Sequence, residues 1–276
     1  MLPVLAQFSV GGADITVRAY STCLLVAAVA AAWLFFRAAA AMDVSGRRSA
    51  ILLAGGLALG LAGARGLDAV LNPTAYARDP ALLVTTDARG FALYGGLAGG
   101  AAFMLLAARR LGVDPRRLAD AAVPAVAVGI AIVRIGCFLN GCCAGIATTL
   151  PWGVRFPAGG SAWSGQLLSG STGALFGRVN PVHPTQLYEL VAVLACAWLS
   201  GAIARRRPLP AGGRALLFAA AFLAFRALNQ TLRAPTPGGA MGPWAVVAAY
   251  PAGAGIAAVL LAARVRQAQG RPLAAA

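Results

Sequence analysis

The sequence has no lysine, a single glutamate (Glu189) and a single histidine (His183). Only 11% of its 276 residues are charged, 59% are hydrophobic, and the mean hydropathy is +0.75. This balance excludes the ordinary soluble classes and indicates a membrane protein. The net charge of +15 comes from arginine alone among the basic residues. We expect no nucleic-acid partner, because the arginines lie between apolar runs, where they orient a membrane protein.

Apolar runs of 16 to 20 residues recur along the chain, each about long enough for one helix to cross a bilayer. They are Ala19–Phe36, Ser49–Ala64, Phe91–Ala108, Leu118–Val133, Thr185–Ala204, Ala215–Leu232 and Trp244–Ala263. Backbone groups inside a bilayer must bond within the segment, and apolar runs of this length do so as helices. The sequence therefore predicts an all-α, polytopic membrane protein with seven transmembrane helices. The ends of the two shortest runs are expected to extend, and no cleaved signal peptide is expected.

The arginines are distributed unevenly around these runs. Fourteen of the 23 follow the first, third, fifth and seventh runs. The positive-inside rule makes those segments cytoplasmic, with the N-terminus outside and the C-terminus inside. Residues 1–276 are expected to form one membrane domain, with its longest outer segment at about 136–184. Because the cytoplasmic segments are short and basic, we expect the chemistry at the outer leaflet.

Arg65, Arg134 and Arg226 lie at the ends of predicted spans or within one. An arginine at membrane depth costs at least about 2.5–3.5 kcal/mol and normally faces a cavity or a partner. One interpretation is structural pairing with a carbonyl, Asp68 or Glu189. The other is an anionic ligand such as a phospholipid headgroup, because guanidinium is the preferred bidentate donor for phosphate.

Three further features leave alternatives open. His183 is either part of a helix start, with Pro184 in the first turn, or a functional group. Glu189 is either a functional intramembrane acid or the partner of an arginine. The glycines of the run LYGGLAGG, which contains Tyr94, are expected to allow close helix approach.

Several motifs together resemble the bacterial prolipoprotein diacylglyceryl transferases. They are VRIGCFLNGCCAG, PWGVRFP, HPTQLYEL, VRAYSTCLLV with Tyr20, GARGLDAVL with Arg65, LYGGLAGG, and FRALNQTLR with Arg226. The resemblance covers almost the whole chain in order. It implies a multi-pass enzyme of the bacterial inner membrane that moves the diacylglyceryl group of phosphatidylglycerol onto the thiol of a lipobox cysteine. The implied partners are phosphatidylglycerol or a similar anionic phospholipid and the prolipoprotein signal peptide, with no cofactor.

The resemblance also implies roles for individual residues. Arg134 and Arg226 are expected to hold the phosphate and act in catalysis together with Tyr94 and Cys142. The expected substrate-binding residues, besides Arg134, are Tyr20, Arg65, Asn140, Gly145, His183 and Glu189.

The chain departs from the family pattern at its acid and base positions. Tyr94 stands where the family has histidine, Cys137 where it has asparagine, and Cys142 where it has glutamate. Gln230 likewise replaces a glutamate. These departures leave two alternatives open: a diverged paralogue that uses another acceptor, and a non-catalytic lipid-binding or thiol-redox membrane protein.

Cys137, Cys142 and Cys143 are expected on the oxidising side, whereas Cys23 and Cys196 are expected as buried small apolar residues. The first expectation for the three is a disulfide from Cys137 to one of the other two. The alternatives are a reactive thiol that carries a lipid intermediate, inert packing, and a zinc site completed by His183. No metal site is assigned from the sequence.

Overall fold

The computed structural model is mostly helical and describes residues 3–10, 13–84, 93–158, 160–168, 170, 179–234 and 243–269. Its two strands are β1 (Val4–Val10) and β2 (Ala13–Arg18). Its α-helices are α1 (Ala19–Ala40), α2 (Gly46–Leu71), α3 (Pro73–Arg78), α4 (Leu93–Arg110), α5 (Pro115–Asn140), α6 (Ser161–Leu168), α7 (Thr185–Arg206), α8 (Gly213–Thr231) and α9 (Pro243–Gln269). A short 3-10 turn at Pro80–Leu83 follows α3.

Each predicted apolar run overlaps one of the long helices over most of its length. In the described part of the chain, five helices are long and apolar enough to cross a membrane. They are α1, α2, α5, α7 and the part of α9 at Ala248–Gln269. The other two, α4 and α8, have 18 and 19 residues. Large apolar side chains such as Leu25, Val29 and Trp198 lie exposed on the surface. Exposed apolar surface of this extent indicates contact with lipid.

Two helices extend well beyond the predicted runs, as expected for the shortest ones. Helix α2 continues to Leu71 and α5 to Asn140, so Arg65 and Arg134 lie inside helices rather than at their ends. Helix α5 also starts earlier, at Pro115, where the Asp114 carboxylate accepts a hydrogen bond of 2.9 Å from the Arg116 amide. Such a cap with proline in the first turn is a typical helix start.

The chain forms two compact units. In the unit Leu34–Ala122, α2 packs against α4 through glycines. A Cβ on Gly63 would overlap the Gly95 carbonyl oxygen, and one on Gly99 would overlap that of Leu59. The expected close approach of the LYGGLAGG helix is thus confirmed, because only glycine leaves room for this backbone contact.

The other unit comprises Met1–Trp33 and Val123–Ala276. Its apolar core includes Val123 and Ala131 of α5, Val193 of α7 and Phe218 of α8, whose ring stacks on Phe222 at 5.8 Å. This core joins the three helices that carry the central charged residues.

Strands β1 and β2 form an antiparallel hairpin, which was not predicted from the sequence. Gln7 lies opposite Thr16, and its side-chain amide donates to the threonine hydroxyl at 3.4 Å. The Ala19 amide donates to the Pro3 carbonyl at 3.0 Å, so the hairpin is bonded directly to the start of α1. Two sequence-adjacent glycines between the strands are the hairpin signal that was available.

Candidate functional site

Three helices bring a buried charge cluster together in the larger unit. The Glu189 carboxylate on α7 lies 2.7 Å from Arg134 Nη2 on α5 through one oxygen. Its other oxygen accepts a hydrogen bond from Arg226 Nη1 on α8. Glu189 and Arg226 are only 2% and 6% exposed. The sequence left ion pairing of Glu189 with an arginine as one alternative, and the structure shows that pairing with two of them.

Tyr250 of α9 completes the cluster and was not predicted. Its hydroxyl accepts a hydrogen bond of 2.7 Å from Arg226 Nη2, and the guanidinium carbon lies 4.7 Å from its ring centroid. The available signal was a phenol inside an otherwise apolar run, directly before Pro251. Buried tyrosine hydroxyls generally have a partner, so Tyr250 in this run pointed to one.

The cluster of Arg134, Arg226, Glu189 and Tyr250 has an excess of positive charge. Two guanidiniums share one carboxylate, and the buried Nε of Arg134 has no hydrogen-bond partner among the described residues. A buried donor without a partner costs about 1–3 kcal/mol, and an uncompensated charge costs more. The arrangement therefore favours an additional anion beside Arg134.

An apolar groove leads to Arg134 between α1 and α5. Its volume is about 330 Å³, and its lining is Leu24, Ala27, Ala28, Ala31, Gly129, Ile130, Val133 and Arg134. The helices approach closely just beyond it, where a Cβ on Gly136 would lie 2.8 Å from Cys23 Cβ. Small side chains thus open a channel between two apolar helices, with a guanidinium at one end. That shape matches an acyl chain with an anionic headgroup.

The start of α7 fixes the loop that follows α5. Thr185 donates to the Cys143 carbonyl at 2.7 Å, and Gln186 donates to the Cys142 carbonyl at 2.6 Å. Asn229 of α8 donates to the Thr185 carbonyl at 3.2 Å. The polar residues of HPTQLYEL therefore attach the loop to the helix that carries Glu189.

The chain matches known proteins over most of its length. The profile of the prolipoprotein diacylglyceryl transferase family matches residues 6–265. The chain belongs to this family. The phosphatidylglycerol–prolipoprotein diacylglyceryl transferase of Vibrio vulnificus strain YJ016 is 33% identical over 83% of this chain and 78% of its own length. The proteins of that name from Vibrio atlanticus and Geobacter sulfurreducens are 32% and 33% identical, over 84% and 65% of this chain and 78% and 63% of their own.

Gly145 and His183 lie where three backbone segments meet: the loop after α5, the segment before α7 and the end of α8. The Gly145 amide donates to the His183 carbonyl at 2.9 Å, and the Ile146 amide donates to the Leu232 carbonyl at the same distance. A Cβ on Gly145 would lie 2.5 Å from the Leu232 oxygen and 2.6 Å from His183 Cβ. Gly145 is thus required for a close backbone contact.

The His183 ring faces Tyr188 rather than the charge cluster in its described contacts. Its Nδ1 lies 3.3 Å from the Tyr188 hydroxyl, which also accepts a hydrogen bond of 2.7 Å from the Trp152 indole. These contacts join the loop around Trp152 to the first turns of α7.

The remaining predicted site residues lie in different places. Tyr20 is exposed in the first turn of α1, and Asn140 is the exposed last residue of α5. Arg65 is buried in α2 of the smaller unit. The side chain of Tyr94, at the start of α4, lies outside the described part of the chain.

Cys137, in the last turn of α5, and Cys142 and Cys143, in the loop after it, have their sulfur atoms within 4.8 Å of one another. All five cysteines are free thiols in the structure, so the expected disulfide is not formed here. Arg134 Nη1 donates to Cys137 Sγ at 3.7 Å. Contacts from the thiols of Cys137 and Cys142 lower the pKa of Cys143, and Arg233 and Arg134 lower it further. The zinc alternative included His183, but the cluster found among the described residues holds the three thiols alone.

Proposed function

We propose that the chain transfers the diacylglyceryl group of phosphatidylglycerol to the thiol of a lipobox cysteine in prolipoproteins. Relatives that are 32–33% identical over more than four fifths of the chain bear the name of this activity. The observation that carries the proposal is the apolar groove that ends at Arg134, within a cluster of two arginines and one glutamate. An acyl chain in the groove would place an anionic headgroup beside the excess positive charge.

The reaction forms a bond between the acceptor sulfur and a glyceryl carbon and breaks the bond from that carbon to a phosphate oxygen. Glycerol phosphate leaves with the bonding electron pair, so the phosphate gains negative charge as the bond breaks. Arg134 and Arg226 stabilise this charge, because preorganised cations in a dry site act most strongly where charge develops. Glu189 and Tyr250 hold Arg226 in place for this role.

The acceptor thiol must lose its proton, since the thiolate is the nucleophile. Tyr94 and Cys142 occupy the positions where the family pattern has histidine and glutamate, and we assign proton transfer to them. Glu189 does not fit this role, because two guanidiniums bind its carboxylate and stabilise the charged form. The proposed substrate-binding residues are Tyr20, Arg65, Arg134, Asn140, Gly145, His183 and Glu189.

The proposal includes a multi-pass topology in the bacterial inner membrane, with both compact units in one transferase domain and a periplasmic segment at about 136–184. The seven proposed spans are α1, α2, α4, α5, α7, α8 and α9. Arginines occupy the last turns of α1, α4, α7 and α9, every second span, which supports a cytoplasmic C-terminus. Alkaline phosphatase fusions within residues 136–184 should be active, and fusions after residue 269 should be inactive.

The decisive experiment is transfer in proteoliposomes that contain phosphatidylglycerol and a lipobox peptide, followed by mass spectrometry of the peptide. We expect diacylglyceryl peptide with the wild-type chain and none with Arg134→Ala. Arg117→Ala is the matched control, since Arg117 is 75% exposed and pairs with Asp114 at 3.8 Å. Absence of product with well-folded wild-type protein would contradict the proposal.

A second candidate function keeps the donor and changes the acceptor. This candidate is favoured by Cys137 and Cys142, which stand where the family pattern has asparagine and glutamate. Release of glycerol phosphate without modification of the lipobox peptide would support this candidate. Phospholipid binding without any release would support a non-catalytic lipid-binding protein instead.

A further inference from the structure

The last turn of α5 and the loop that follows it gather three thiols that the charge cluster does not need for lipid binding. The sulfur atoms of Cys137, Cys142 and Cys143 lie within 4.8 Å of one another, and all three residues are buried or half-buried. A disulfide needs only two sulfurs, and inert packing needs no convergence of three. The arrangement has instead the geometry of a ligand set.

The spacing of the sulfurs suits one small cation. Thiolates bind zinc at about 2.3 Å, which places sulfurs around a trigonal or tetrahedral ion roughly 3.8–4.0 Å apart. The observed upper limit of 4.8 Å is within about 1 Å of that value. A change of this size is of the order that rotation of a cysteine side chain about its Cα–Cβ bond can produce.

The backbone that carries the thiols is held firmly. Cys143 has a φ of +62°, and Gly141 has a φ of +72°. A non-glycine residue in the left-handed region is uncommon and persists only where its surroundings enforce it. Thr185 and Gln186 bind the carbonyls of Cys143 and Cys142, and the Cys142 amide donates to the Cys137 carbonyl at 3.1 Å. The loop is therefore organised before any ligand arrives.

A guanidinium lies directly beside the cluster, where its charge offsets that of thiolates bound to a cation. Arg134 Nη1 donates to Cys137 Sγ at 3.7 Å. Soft thiolate ligands select soft cations such as Cu(I) and Zn(II). Since the cluster among the described residues contains no fourth cysteine, histidine or carboxylate, it suits three-coordinate Cu(I), or Zn(II) with water in its fourth position.

We propose that Cys137, Cys142 and Cys143 form a binding site for one thiophilic cation, Cu(I) or Zn(II), with three thiolate ligands. Binding releases the thiol protons to solvent and involves no change of oxidation state. The site does not depend on transferase activity. A Cys142 thiolate bound to a cation is not available for proton transfer, so Cys142 cannot perform both roles at the same time.

The test uses the full chain in detergent, reduced with a phosphine and kept under anaerobic conditions. Cu(I) is titrated against bicinchoninate and Zn(II) against a chromophoric chelator. We expect one equivalent of at least one cation to bind, with only sulfur ligands from the protein at about 2.3 Å in X-ray absorption spectra. Whichever ion binds identifies the cation.

Single serine variants of Cys137, Cys142 and Cys143 should each lower the affinity about tenfold or more, by analogy with the loss of groups that support metal ligands. Cys196→Ser and Cys23→Ser are the matched controls, because neither belongs to the cluster, and they should keep wild-type affinity. Circular dichroism and size-exclusion profiles identify variants that fold.

Two results would overturn the proposal. One is undiminished binding in a folded variant that lacks all three thiols. The other is failure of the reduced wild-type chain to compete for either cation, whether or not alkylation mapping of membranes finds a disulfide among the three. Failure of lipid transfer alone leaves the binding titration intact, so this outcome is separate from that of the transfer proposal.

Discussion

Arg134 and Glu189 form an ion pair with a separation of 2.7 Å, and the other carboxylate oxygen of Glu189 binds Arg226. A single acid thus holds two arginines from different helices in one buried place. The position of both guanidiniums depends on this carboxylate, since each has it as a charged partner.

Replacement of Glu189 by glutamine should lower the free energy of unfolding by about 3–5 kcal/mol, because it leaves buried guanidinium charge uncompensated. Thermal unfolding in detergent measures the loss, and lipid transfer should fall as well. Asp114→Asn is the control: its pair with Arg117 is exposed, and asparagine still caps α5. Equal stability of the two variants would contradict the central role of Glu189.

Tyr250→Phe should weaken transfer while it keeps the aromatic ring beside Arg226. The lost hydrogen bond leaves Arg226 Nη2 without that acceptor, which costs about 1–3 kcal/mol. Tyr250→Leu should be worse, because it also removes the ring 4.7 Å from the guanidinium carbon. Steady-state transfer rates rank the variants. If phenylalanine and leucine proved equivalent, the ring would have no role.

The groove between α1 and α5 gives a prediction about lipid affinity. Ala28→Phe fills part of the groove and should raise the KM for phosphatidylglycerol about tenfold, equivalent to about 1.4 kcal/mol of lost binding. Val29→Phe is the neighbouring control, because Val29 is exposed and does not line the groove. An unchanged KM for Ala28→Phe would place the acyl chains elsewhere.

Gly145→Ala should destabilise the junction after α5 by about 1–3 kcal/mol, the usual cost of overpacking. The added Cβ would collide with the Leu232 carbonyl and with His183. The control is Gly165→Ala in α6, where nothing lies within 4 Å of the new atom. Unfolding midpoints that fall equally in both variants would refute this account of Gly145.

The glycine contact in the smaller unit is testable on its own. Gly63→Ala should lower the stability of the α2–α4 pair by about 1–3 kcal/mol, because the methyl group meets the Gly95 carbonyl. Gly66→Ala on the same helix meets nothing within 4 Å and serves as the control. A chain that tolerates both changes would show that α2 and α4 pack less closely.

The long helices, and the need of the intramembrane charges Arg134, Arg226 and Glu189 for partners, were predictable from residue order. Apolar runs of membrane length must form helices, and a charge within such a run needs a partner. Helices α2 and α5 continue past the ends of their apolar runs, as expected, because helical hydrogen bonding is not interrupted by Arg65 or Arg134, where those runs stop. The β1–β2 hairpin escaped prediction, since its strands are shorter than any membrane span.

The membrane class, the family and the intramembrane charges follow from residue order alone, because composition, run length and motif order can be read directly from the chain. Which charges pair depends on the packing of the helices, since Arg134, Glu189 and Arg226 lie on three of them. Helix packing also adds Tyr250 to the cluster, and the fold brings the thiols of Cys137, Cys142 and Cys143 together. Contacts of this kind depend on helix packing and on the backbone conformation of one loop, and local sequence patterns do not predict either.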